Sequence, residues 1–195
     1  MVEYVSLFYG NDDFINRDKH NNLTFVWDLN NTKLVEELVE IIISKNPYFG
    51  IGEYTLSIFF NHLNKSQKLK AEEFISNFIT TNNGDRNKMN AIFDIVSHFI
   101  NESFEKYMLL YLTLNTDVKA FEKIYWRGNG GTVHNGDVNF GELEAADWNR
   151  IHDIIVKGEN QLQLIPIKNY VKKQIECSLK YAVEERKRKF ANPNW

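Results

Sequence analysis

From Asn31 to Tyr125 the apolar side chains return every third or fourth residue, and this spacing constrains the fold more than any other property of the chain. Leu34, Val35, Leu38, Val39, Ile41, Ile42 and Ile43 form one stripe, with Glu36, Glu37 and Glu40 on the opposite face. That pattern predicts an amphipathic helix capped by Asn31 or Thr32 and ended by Pro47 with Gly50 and Gly52. The same reading predicts helices over 54–63, over a stretch opened by Ser66, over 85–100, over a stretch opened by Asn101 or Ser103, and over 117–125. Asn82-Asn83-Gly84 stops the helix opened by Ser66, the third in chain order, through a left-handed glycine. His62 and His98 fall inside predicted helices. The connections are only a few residues long, so consecutive helices are expected as antiparallel neighbours.

Residues 1–31 are less regular, with a polar loop over 11–22 and Leu23 to Trp27 as a strand or an apolar strap. After Tyr125 the chain changes character. Five of its ten glycines lie between Gly128 and Gly141, so 126–141 is expected to be one long loop. Helix returns over 142–156, with Leu143, Ala146, Ile151, Ile154 and Ile155 inward. A last helix opened by Pro166 carries Ile167, Tyr170, Val171, Ile175, Leu179, Ala182 and Val183. The expected fold is all-α, a single helical domain over 1–195. It is built of antiparallel pairs, HEAT/armadillo-like or an irregular bundle, with an irregular segment over 1–31, helical pairs over 32–125, the Gly-rich loop over 126–141 and a helical pair over 142–195. Pairs recur at about 35–40 residues without self-similarity between units.

The composition, 43% apolar and 25% charged over 195 residues, excludes a disordered or collagen-like chain. One cysteine, Cys177, forms no internal bridge and is expected buried or half-buried on its helix and not a nucleophile. The N-terminus lacks a signal-peptide pattern, and no apolar run approaches the roughly 20 residues that span a bilayer. A cytoplasmic protein with no membrane contact is the expectation. Net charge is −3, but residues 166–195 carry +5 and residues 1–165 carry −8. Lys172, Lys173, Lys180, Arg186 and Lys187 are therefore candidates for contact with nucleic-acid phosphates. The competing reading is a solvated face, with i,i+4 pairs Glu176–Lys180, Glu184–Arg188 and Glu185–Lys189.

No sequence motif for a cofactor, a metal or a catalytic nucleophile is present. The five histidines lack ligand spacing, and no Ser stands in a G-x-S-x-G elbow. Gly128-Asn129-Gly130-Gly131-Thr132 lacks the lysine of a Walker A loop, and Val133 replaces the third glycine of G-x-G-x-x-G. The Gly-rich loop nevertheless supplies the candidate contact residues Trp126, Arg127, Gly128, His134, Asp137 and Phe140. In one reading Trp126 and Phe140 pin its ends and the loop meets a protein partner. In the alternative, Arg127, His134 and Asp137 converge on a small molecule or nucleotide in an enzyme.

Phe121, Ile124, Trp126, Gly128, Gly136, Gly141-Glu142 and Trp148, with Leu164-Ile165-Pro166-Ile167-Lys168 and Glu184-Glu185-Arg186, carry a resemblance. In that order they resemble the C-terminal helical region of large bacterial STAND-type P-loop NTPases associated with phage defence. The resemblance covers 115–190. It implies a helical-repeat sensor that binds a protein trigger, either as a piece of a longer protein or as a freestanding relative. The ATPase motifs are not in this chain, so the resemblance carries over no hydrolysis and no catalytic residue. The reading that follows is a non-enzymatic protein-interaction module.

Overall fold

The computed structural model describes residues 23–45, 56–126 and 139–191. All regular structure among them is helical. The helices are α1 Thr32–Lys45, α2 Ser57–Phe60, α3 Lys65–Asn82, α4 Arg86–His98, α5 Phe104–Leu114, α6 Val118–Glu122, α7 Phe140–Lys157 and α8 Ile165–Ala191. Short 3-10 turns occupy Thr24–Leu29 and Asn101–Ser103. One apolar core runs from Leu23 to Val171.

The first 3-10 turn settles the open reading of 23–27 in favour of a strap. Leu23 donates its N–H to the Ile58 carbonyl at 2.9 Å, and the Trp27 indole donates to the Phe59 carbonyl at 2.6 Å. The indole buries its ring against Phe60 and Phe74, 5.5 and 5.6 Å between centroids, with its one polar group satisfied. Lys70 of α3 closes the strap, donating to the Trp27 carbonyl at 2.8 Å and to Asn30 at 2.7 Å.

Helix starts follow the expected chemistry with shifts of a residue or two. Asn31 accepts from the Leu34 N–H at 3.1 Å, and Asp85 accepts from Asn87 and Lys88. The third predicted helix starts earlier than Ser66. Asn64 caps it in a reciprocal box with Gln67, leaving Ser66 exposed in the first turn. Its end also differs, because Gly84 lies outside the left-handed region. The final turn is closed instead by Asn82 and Asn83 side chains, which donate to the carbonyls of Phe78 and Thr80. Among the described residues of the 54–63 stretch the helix spans Ser57–Phe60, and His62 sits in a turn at φ 58°. Leu69, an apolar residue that helical spacing puts with Phe74, Ile75, Phe78 and Ile79 of the third predicted helix, is exposed on that helix.

The middle of the core is an aromatic cluster. Phe93 of α4 meets Phe104 and Tyr111 of α5 edge-on, at 6.2 and 5.8 Å. Tyr107 of α5 reaches across to α3 and donates its hydroxyl to the Glu72 carbonyl at 3.2 Å. Burial, with the Glu72 charge adding to it, pushes that phenol well above its ordinary pKa. α7 lies on α5 through Lys157 to Glu105 at 2.9 Å and the Arg150 guanidinium over the Phe104 ring at 5.4 Å.

Candidate interaction surface

The two ends of the Gly-rich segment are held by different devices. On the entry side, Trp126 is 8% exposed and stacks on Phe121 at 4.6 Å, with Phe93 at 4.7 Å. Its indole donates to the Phe121 carbonyl at 2.9 Å. Asn90, buried in α4, fixes the approach by accepting from the Tyr125 N–H at 2.9 Å and donating to the Lys123 carbonyl. Trp126 is therefore a core residue rather than an exposed recognition side chain. A large ring with its single donor satisfied gains more from burial than from exposure.

On the exit side the expected pin, Phe140, is 61% exposed. Its neighbours hold the chain instead. Asn139 caps α7 through the Glu142 N–H and donates to the Ala182 carbonyl at 3.1 Å. The Gly141 N–H donates to Glu185 of α8 at 2.8 Å. Arg127, Gly128, His134 and Asp137 lie outside the described residues.

α7 and α8 form an antiparallel hairpin. The start of α7 lies against the stretch from Ser178 to Glu185, and the end of α7 leads through 158–164 into the start of α8. The two backbones nearly touch where Gly141 faces α8. A Cβ on Gly141 would stand 2.5 Å from the Ala182 nitrogen and 2.6 Å from the Ser178 carbonyl oxygen. Only small side chains fit such a seam, and Ala145, Ser178 and Ala182 are all buried.

This close approach sets which residues face outward. Leu179 and Val183, expected on the inner stripe, are 48% and 49% exposed because Ser178 and Ala182 take the inner positions. Ala146 is exposed for the same reason, Ala145 being the one against α8. Cys177 is exposed on α8 instead of buried or half-buried. A pair of small residues four apart on each helix was the available signal for this register.

Of the twelve exposed large apolar side chains among the described residues, seven belong to the hairpin. Leu162 in its turn is 82% exposed, with Val156 and Ile165 exposed on the flanking helix ends. The candidate lysines Lys172, Lys173, Lys180 and Lys187 are exposed on α8. Arg186 differs from them, since it is ion-paired with Glu142 of α7. Among the described residues no group of three or more His, Cys, Asp or Glu is placed to hold a metal ion. None of the described helices is long and apolar enough to cross a membrane. Comparison with family models, with curated proteins and with solved structures finds no match to the chain.

Proposed function

We propose that this chain is a non-enzymatic protein-interaction module and that the α7–α8 hairpin is its recognition surface. One observation carries the reading: most of the exposed large apolar side chains sit on this one hairpin, around Leu162 at its turn and Leu179 and Val183 on its outer flank. A seam of small residues holds the hairpin rigid, so it presents those side chains without an ordering cost on binding.

The sensor role fits the resemblance to the helical region of STAND-type NTPases, in which HEAT- or armadillo-like pairs receive a protein trigger. In this reading the chain works in a bacterial cytoplasm, as part of such a protein or as a freestanding relative.

The test compares the wild type with an L162S/L179S/V183S variant in pull-downs from the native host, followed by titration of each purified captured protein. All three positions are exposed, so folding is expected to survive, which circular dichroism checks. Loss of at least tenfold in affinity for a captured partner supports the reading. Retention of the same partners at unchanged affinity overturns it.

A further inference from the structure

Four exposed lysines of α8 make no ion pair among the described residues, although Glu176 and Glu184 stand three or four positions from them on the same helix. Lys173, Lys180 and Lys187 recur at every seventh position, which sets them nearly in line along the helix at intervals of about 10 Å. Lys172 lies beside the first of them. Apart from Glu176, the other charged side chains described on this helix are engaged. Arg186 pairs with Glu142, Arg188 with Glu184 at 3.8 Å, and Glu185 holds the Gly141 N–H. Lys168 donates to Gln161. Of the expected pair Glu176–Lys180, no ion pair forms among the described residues, so Glu176 offsets one positive charge only in part.

We propose that this lysine row binds the phosphate backbone of a nucleic acid. The row runs straight for about 20 Å, long enough to follow several consecutive phosphates. Lysine is a point charge with freely rotating donors, suited to phosphates without base readout. An anionic membrane would engage the exposed Leu179, Tyr181 and Val183 of the same helix as well as the lysines, and the vesicle arm of the experiment reads it separately. The acidic remainder of the chain, −8 over residues 1–165, repels a polyanion and confines contact to this face.

The experiment is fluorescence polarisation with a labelled 20-base-pair DNA duplex and the matching single strand, from about 50 to 200 mM salt. Vesicles with and without phosphatidylserine form a third arm. Binding through four lysines gives a slope of log K against log salt near −3 to −4, roughly a hundredfold loss over that range. A K173Q/K180Q/K187Q variant is expected to lose at least tenfold at low salt and to flatten the slope by about 3. R188Q removes a charge already paired and is expected to change affinity less than about twofold. The proposal is overturned if neither oligonucleotide binds, if only the anionic vesicles do, or if the triple variant binds like the wild type. It is also overturned if R188Q loses as much as the triple variant. None of these readings depends on the apolar turn at Leu162, so the protein-interaction surface stands or falls separately.

Discussion

Gly141 of α7 sits so close to Ala182 of α8 that a Cβ on the glycine would lie 2.5 Å from the alanine nitrogen. The blocking atoms are backbone, so no rotamer change relieves the contact. Gly141 also donates its N–H to Glu185, which ties the same point of the seam by a charge-assisted hydrogen bond of 2.8 Å. Two helices are thereby locked in register at the start of α7.

The first prediction concerns that glycine. G141A gains helix propensity worth up to about 1 kcal/mol but forces the helices apart. Overpacking of this kind costs about 1–3 kcal/mol, so net destabilisation is expected. G84A is the contrasting case, since no atom lies within 4 Å of its added Cβ and its φ is outside the left-handed region. It is expected to be neutral or to stabilise by up to about 1 kcal/mol. Urea unfolding of both variants measures the difference in sign.

Helical class and most of the core were legible because the 3.6-residue spacing over 31–125 has one physical solution. Val35, Leu38, Val39 and Ile42 all face inward as the pattern requires. Of the predicted inner stripe Ala182 is buried as expected, but hydrophobicity alone also favours Val183 beside it and Leu179 over Ser178, and both of those are exposed. Distance between backbones decided otherwise, and a stripe read by polarity carries no information on that distance. Of the two expected pins Phe140 is exposed, whereas Trp126 holds its end from within the core. Its burial depends on a carbonyl from Phe121 accepting the indole proton, a tertiary coincidence of α6 and the turn after it. The candidates Arg127, Gly128, His134 and Asp137 fall outside the described residues.

Asn90 is a polar residue inside the core that holds the segment before Trp126. Replacing it with alanine leaves the Tyr125 N–H and the Lys123 carbonyl without their partner. N90A is expected to destabilise by about 1–3 kcal/mol. A red shift in tryptophan emission should accompany it if Trp126 loosens, and unfolding curves give the energy. An N90A protein as stable as the wild type would show that the clamp contributes nothing.

Asp147 on α7 gives a prediction in the opposite direction. Burial raises its pKa above the ordinary carboxylate value; Arg150 pulls it down and Glu144 pushes it up. A carboxyl whose folded pKa exceeds its unfolded one favours the folded state only while protonated. Its ionisation therefore weakens the fold as pH rises out of the acidic range. D147N is expected to be more stable than the wild type at pH 7, with the advantage shrinking on acidification to pH 3. Thermal melts at the two pH values test this, and a variant less stable at pH 7 would mean that the Arg150 attraction outweighs burial.

Tyr107 and Tyr111, four residues apart on α5, separate the value of a made hydrogen bond from the cost of an unmade one. Both are fully buried, but only Tyr107 has a partner, the Glu72 carbonyl. Among the described residues the Tyr111 hydroxyl has none, and burial with the Asp117 charge pushes its pKa up to about 12. Y107F is expected to destabilise by about 0.5–1.5 kcal/mol, whereas Y111F is neutral or stabilising. Both phenols resist ionisation in the folded state, so the unfolded chain loses protons first as pH rises above 10. Wild-type stability must then fall with increasing pH from about 10 upward, and each Phe variant makes that fall shallower. Urea unfolding at pH 8 and pH 10.5 measures both effects on the same samples, and a Y111F loss equal to that of Y107F would show that the orphan hydroxyl is stabilising after all.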